Sequence, residues 1–422
     1  MPSEPVTATS VREAAQRIQH AVSRTPLQRW ERMSAATGAQ VLLKREDQQS
    51  VRSYKVRGAF NLMLRLDEQD RARGVVCASA GNHAQGVAKA CHELGIAGRI
   101  FVPRTTPRQK LSRIAELGGD QVTLIPVGST FDEASAAARE FAATDGAVQV
   151  HPFDDVRTIA GQGTVAKELH DQLGHPPDVV VVPVGGGGLI AGMGAYLAEA
   201  CPQTRVVGVE PGGAASMAAA LAAGEPVSLT DIDTFVDGAA VRRVGEVPFG
   251  VVSGLGLPMT AVPEGRLCAE LLSVYQTEGI VAEPAGALTL AAVGPMGSGA
   301  AVEVHPGSTV VCVLSGGNND ISRYPEVEER ALVYAGLRHY FVIDLPQEPG
   351  ALRRFLDRVL GPEDDISLFE YTKRSNRETG PAFVGLTLGS ADGYLPLLER
   401  MDASRLTYEA ISPESPLFRF FT

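Results

Sequence analysis

The chain has no C-x-x-C pair, and its cysteines are odd in number: Cys77, Cys91, Cys201, Cys268 and Cys312. That pattern argues against a disulfide scaffold. Three of the five sit in apolar runs that read as core, and a reducing cytoplasm is the expected setting. No run of about 18 apolar residues occurs, so no membrane span is expected. The opening MPSEPVTATSVREAAQRI lacks the apolar segment of a secretion signal. Positive charge is in short supply. Lys and Arg total 38 against 49 Asp and Glu, a net charge of -11. This argues against nucleic acid or an anionic membrane surface as a partner, while allowing a local pocket for a small anion. Neither the G-x-G-x-x-G fingerprint nor G-x-x-x-x-G-K-[ST] is found, which disfavours a dinucleotide and a P-loop.

What is present is an ordinary globular balance, 44% hydrophobic and 21% charged over 422 residues, enough for two or more domains. Residues 10–23 read as an amphipathic helix. From Val41 onward, short apolar runs (VLLKRE, VVCAS, RIFVP, VTLIPV) alternate with helical patterns (KVRGAFNLMLRL, HAQGVAKACHELG, PRQKLSRIAELGG). DVVVVPV, RVVGVEP and STVVCVLS continue the series, with helix LIAGMGAYLAEACP after the first of them. Val-rich runs bounded by glycine suit strands buried on both faces. The alternation predicts an α/β body of parallel or mixed sheets with helices on both faces, whose ligands bind beyond the carboxyl ends of the strands. The character changes after Ile321. RYPEVEERALVYAG reads as a helical linker, followed by HYFVIDL, ALRRFLDRVL, ISLFEYTKRS, GPAFVGLTLG, GYLPLLERM and LTYEAI, a ferredoxin-like βαββαβ order. The expected domains are residues 1–320, a linker 321–336, and 337–422. The last carries no nucleophile, acid–base cluster or metal spacing, which suggests regulation or assembly.

The chemistry concentrates in SYKVRGA (Ser53 to Ala59) and three glycine-rich turns: SAGNHAQG, GGGGL and SGGNND. One lysine near a helix start plus several backbone anion cradles is what a phosphorylated aldehyde cofactor needs. Lys55 is the candidate Schiff-base lysine, since an amine attacks an aldehyde only when neutral; a solvated lysine is the plain alternative. Gly185 to Leu189 follow a buried strand and open a helix. Without β-carbons their N–H groups can close around a phosphate, helped by the helix dipole. Asn82 offers a donor and an acceptor for a ring hydroxyl, or is an ordinary N-cap. His83 is not assigned as a base. Ser315 ends a strand, facing a pyridine nitrogen or simply closing the strand. Glu283 is a buried carboxylate near the site or the start of a helix. Glu210, at another strand end, is a cation ligand or solvated.

Together these residues closely resemble the threonine dehydratase (threonine ammonia-lyase) family, in the tryptophan-synthase-β-like class of pyridoxal-phosphate enzymes. SYKVRGA, SAGNHAQG, HPFDD…IAGQGT, GGGGL, EPAGA and SGGN stand in family order over nearly the whole chain, and PQEPGAL resembles the ACT-like regulatory domain of the short biosynthetic form. The resemblance implies a two-lobed fold type II catalytic domain with a ferredoxin-like ACT-like tail. It implies that Lys55 carries pyridoxal 5'-phosphate and that Tyr54 packs against its ring. Asn82 would bind the ring 3-hydroxyl, Gly185, Gly186, Gly187, Gly188 and Leu189 the phosphate, and Ser315 the pyridine nitrogen. Ser79, Ala80, Gly81, Asn82 and His83 would bind the substrate carboxylate. Related serine racemases carry a second acid–base serine where this chain has Ala80, which leans toward elimination. Glu210 and Ala214 match a cation site of some relatives, but Ser216 replaces its acid, so the metal is left undetermined.

The implied reaction is β-elimination of L-threonine to 2-oxobutanoate and ammonia, the first step of isoleucine biosynthesis; L-serine would react likewise, to pyruvate. Isoleucine would inhibit, valine would counteract it, and the assembly would be a cytoplasmic homotetramer. The rivals are a catabolic serine/threonine dehydratase, a serine racemase, a β-replacing synthase, a non-catalytic amino-acid sensor and a nicotinamide dehydrogenase.

Overall fold

A computed structural model describes residues 5–371, 373, 378–412, 415 and 418. The end of the expected strand ISLFEYTKRS, at 372 and 374–375, lies outside the described residues. The chain divides into two compact units, one of residues 1–264 and 277–319, the other of 265–276 and 320–422.

The strands of the first unit are β1 (Leu27–Arg29), β2 (Gln40–Arg45), β3 (Val75–Ala78), β4 (Gly98–Val102), β5 (Val122–Pro126), β6 (Val148–Gln149), β7 (Val179–Pro183), β8 (Arg205–Pro211), β9 (Met259–Val262), β10 (Val293–Pro295), β11 (Val302–Val304) and β12 (Thr309–Leu314). They form two main sheets. One is parallel throughout, in the order β5-β4-β3-β6. The other runs β1-β2-β12-β7-β8-β9, parallel except for the edge pair β1–β2. Strands β10 and β11 make a separate short parallel pair. Both main sheets have their own core. Val75, Cys77 and Ile100 pack with Phe60, Leu62 and Val87; Val180, Val182 and Val311 pack with Val165, Ile190 and Leu197. The Val-rich strands are buried on both faces, as their lack of alternation implies.

The opening helix covers Ala8–Ile18, starting earlier and stopping sooner than its apolar spacing suggested. Thr7 decides the start: its side chain accepts from the Ser10 N–H while the Ser10 side chain accepts from Thr7 N–H, a reciprocal cap.

Three helices position the site: Lys55–Leu64, Val156–Leu173 and Gly188–Ala200. They meet backbone to backbone. A Cβ at Gly161 would sit 2.7 Å from the Arg57 carbonyl oxygen and the Gly58 Cα, and one at Gly163 would sit 2.6 Å from the Gly192 carbonyl oxygen. Glycine is required there by the approach of the neighbouring main chain.

The second unit carries β13 (Arg338–Pro346), β14 (Asp365–Tyr371), β15 (Thr379–Thr387) and β16 (Thr407–Ile411), in the antiparallel order β14-β15-β13-β16, with helices Ala351–Val359 and Tyr394–Ala403 between them. This is the ferredoxin-like order expected. Its core is Phe341, Ile343, Phe355, Val384, Leu386, Leu397 and Met401. Residues 265–276, the middle of helix Glu264–Glu278, also belong to this unit. Gly265 lies against Tyr334, and Tyr275 meets Tyr324 edge-on at 5.8 Å. Nothing in the sequence marks that helix as part of the tail.

Candidate active site

Lys55 opens its helix directly after Tyr54. Its Nζ lies 5.3 Å from the Tyr54 ring centroid and donates to the Pro152 carbonyl at 3.2 Å. Among the described residues Lys44, Lys89, Lys110 and Lys167 each hold a carboxylate in an ion pair, and Lys55 does not. Lys55 keeps partial solvent access. Burial still lowers its pKa to about 8, against the opposing pull of Glu283. A neutral amine is thus readily populated near neutral pH, the form that attacks an aldehyde.

The segment before Lys55 is stitched to the end of β12. Ser53 pairs with Gly316 in an antiparallel bridge, and the Tyr54 N–H donates to the Ser315 carbonyl at 3.1 Å. The Ser315 hydroxyl is buried, 3.5 Å from the Ala285 carbonyl oxygen. Asn82 is clamped at both ends of its amide. Its Nδ2 donates to Glu283 Oε1 at 2.5 Å, and its Oδ1 accepts from Asn318 Nδ2 at 2.7 Å. One N–H of Asn82 remains for a ligand. Gly316 makes this arrangement possible, since a Cβ there would collide with the Glu283 carboxylate and approach Asn82 Nδ2 to 3.3 Å.

Gly185 to Leu189 span the turn from β7 into helix Gly188–Ala200. Gly187 sits at φ +90°, a conformation that favours glycine, and any side chain at Gly186 would strike the Phe153 ring. The five amide N–H groups from Gly185 to Leu189 have no protein acceptor among the described residues. Consecutive free donors at a helix N-terminus form an anion cradle. Phe153 also links this cradle to Lys55, because its neighbour Pro152 supplies the carbonyl that Nζ meets.

In the Ser79 to His83 loop, the Gly81 N–H donates to Ser79 Oγ at 3.2 Å. The amides of Ala80, Asn82 and His83 have no protein acceptor among the described residues. The His83 ring is buried, its Nε2 donating to the Val150 carbonyl at 2.7 Å. Burial and the nearby Lys55 charge push its pKa down to about 3, so the ring is neutral and brings no positive charge to the loop. Glu210 accepts from the Met217 and Ala218 N–H groups at 2.6 and 2.9 Å, closing the start of helix Ser216–Ala223. No group of three or more His, Cys, Asp or Glu residues suited to a metal occurs among the described residues.

Sequence reasoning did not single out Asn318, Pro152 and Phe153, although SGGN and HPFDD contain them. It left open what Glu283 does. In the fold Glu283 is buried, which raises its pKa to about 7, with the Asp237 charge adding to the rise. The stabilising share of a raised pKa is present below the unfolded value of 4.5 and is lost as pH climbs through about 7. The loss amounts to about 3 kcal/mol. Glu283→Gln keeps the amide acceptor for Asn82 without that loss. Its Tm relative to the unaltered protein should therefore rise between pH 5 and pH 8, by calorimetry; a Tm difference independent of pH would contradict this.

A lysine amine, a five-amide anion cradle and a neutral hydroxyl at a strand end fit pyridoxal 5'-phosphate, and they define a pyridoxal-phosphate dependent enzyme. The chain matches that family over residues 18–316, and the C-terminal regulatory domain of threonine dehydratase over 329–421. It is 57% identical to a biosynthetic L-threonine dehydratase of Mycobacterium leprae, over 99% of this chain and 96% of that one. For the Bacillus subtilis counterpart the identity is 46%, over 96% and 95%. Among solved structures, the processed form of threonine deaminase isoform 2 from Solanum lycopersicum superposes with a TM-score of 0.69 at 37% identity, covering 78% of this chain and 96% of that one. Maize serine racemase gives 0.70 at 30%, covering 78% and 99%. The chain belongs to the biosynthetic threonine dehydratase family of pyridoxal-phosphate dependent enzymes, with its C-terminal regulatory domain.

Proposed function

We propose that the protein eliminates water from L-threonine and releases 2-oxobutanoate and ammonia, the entry to isoleucine biosynthesis. Full-length similarity to biosynthetic L-threonine dehydratases carries this reading. We assign the catalytic domain to residues 1–320, apart from the segment 265–276 that belongs to the second unit, the linker to 321–336 and the regulatory domain to 337–422.

Lys55 would hold the cofactor aldehyde, with Tyr54 against the ring. The free amides of Gly185, Gly186, Gly187, Gly188 and Leu189 would hold the phosphate. Asn82 would donate its remaining N–H to the ring hydroxyl, and Ser315 would face the ring nitrogen. The bound cofactor supplies an electron sink for the pair left at Cα. Ser315 is neutral, so it does not hold a proton on that nitrogen as a carboxylate would. Once exchanged for substrate, Lys55 is the general base at Cα, and a pKa near 8 suits that work. The amides of the Ser79 to His83 loop would orient the substrate carboxylate at the start of helix Asn82–Leu94. Ala80 offers no proton to the opposite face, which supports elimination over racemisation.

In the tail we expect isoleucine to inhibit, valine to relieve the inhibition, and the enzyme to work as a cytoplasmic homotetramer. Five buried cysteines with no C-x-x-C pair among them support a reducing compartment. Control of this kind is a coupling of roughly 1–3 kcal/mol between two sites. The test is an oxo-acid assay with L-threonine, repeated with isoleucine and with a chain shortened before Leu337. Turnover that isoleucine suppresses only in the full chain is expected. A shortened enzyme still inhibited would disprove the assignment of the tail, and D-serine formed from L-serine without oxo acid would disprove the elimination.

A further inference from the structure

Two residues beyond Lys55, on the same first turn, stands Arg57, a buried guanidinium that no step above uses. Its Nε and Nη2 donate to the two oxygens of Glu46, each at 2.7 Å, and its Nη1 reaches Glu168 Oε2 at 3.1 Å. Beyond Glu168 lies Lys44, also buried, whose Nζ meets Glu168 Oε1 at 2.5 Å. Two cations and two carboxylates alternate. Burial alone would drive the Glu46 carboxyl up, but Arg57 and Lys44 outweigh it and hold Glu46 below its ordinary value.

A buried ion network is a weak source of stability; its better-attested use is to fix one arrangement among several. A guanidinium fork sets direction as well as distance, which an ammonium does not. Here the fork joins three segments of the first unit. Glu46 directly follows β2, Glu168 lies on helix Val156–Leu173, and Arg57 shares its turn with Lys55. Pro152, whose carbonyl meets Lys55 Nζ, lies just before that same helix.

We propose that Arg57 is a positioning residue: its fork onto Glu46 and Glu168 sets the direction in which Lys55 presents Nζ to the cofactor aldehyde and to the substrate Cα. The proposal rests on the reading of Lys55 given above.

The experiment compares Arg57→Lys, Glu46→Gln and Lys44→Gln as full chains. Two readouts are taken well below each Tm: the rate at which added pyridoxal phosphate forms a borohydride-trapped adduct on Lys55 of cofactor-stripped enzyme, and kcat and KM for L-threonine on the reloaded enzyme. Arg57→Lys keeps the charge and loses the fork, and should lower both the adduct rate and kcat by about 10- to 100-fold with little change in KM. Glu46→Gln should move both the same way and serves if Arg57→Lys fails to fold. Lys44→Gln breaks the far side of the network and should lower Tm while leaving both readouts near the unaltered values. Adduct rate and kcat unchanged in the folded fork variants, or equally reduced in Lys44→Gln, would overturn the role of Arg57 alone. An adduct on a different lysine of the unaltered enzyme would overturn the reading of Lys55, and this proposal with it.

Discussion

Replacing Lys55 by alanine should lower oxo-acid release from L-threonine by about 10⁴-fold or more, because on the proposed reading one side chain would serve as both cofactor anchor and general base. Among the described residues no neighbouring amine or imidazole stands ready to substitute. Lys44 is locked onto Glu168, and Lys110 is paired with Asp237 at 2.9 Å. The His83 ring is buried against Val150. Lys55→Ala removes an amine that makes one hydrogen bond, to a backbone carbonyl, so Tm should change little. The check is an oxo-acid assay beside a melting curve and the absorbance of the bound cofactor. A variant that keeps a tenth of the activity would place the reacting amine elsewhere.

Gly192→Ala should do its damage through packing. A Cβ at Gly192 would strike the Ile159 carbonyl oxygen and lie 2.6 Å from the Gly163 nitrogen and 2.9 Å from its Cα. These are main-chain atoms of a helix, which no rotamer change can move aside. Overpacking of this sort costs about 1–3 kcal/mol and sometimes more, and backbone obstruction puts this case at the upper end. Gly250→Ala is the matched comparison. Gly250 also sits within a helix, has nothing within 4 Å of its would-be Cβ, and should gain roughly 0.5–1 kcal/mol from its helix preference. Denaturant unfolding of the two variants should move in opposite directions. Gly192→Ala should also bind pyridoxal phosphate more weakly, since it parts the cradle helix from the helix that backs Lys55. Equal stabilities for the two variants would mean that the helices have slack.

The strands and helices of the first unit were legible because buried Val-rich runs and 3.6-residue spacing are local signals. The glycine turns were legible for the same reason. Lys55, Asn82 and Ser315 could be named as candidates from the sequence, but what surrounds each could not be read there. Asn82 meets Glu283 across 201 residues and Asn318 across 236, and no periodicity encodes such a meeting. Arg57 read as one more helical residue, because a charge at that spacing looks solvated until Glu46 and Glu168 are seen against it. Helix Glu264–Glu278 was silent for another reason: its apolar residues declare that it packs, and only the fold tells against what.

The glycines between the three helices set a ruler. At Gly161, Gly163 and Gly192 main chain meets main chain, so the spacing there between the helix that begins at Lys55, the helix behind it and the helix that follows the Gly185 to Leu189 turn is set by atomic radii. Rotamer exchange cannot stretch it and heating can loosen it only by separating whole helices. The catalytic gap should therefore keep its length up to the point where the domain itself comes apart.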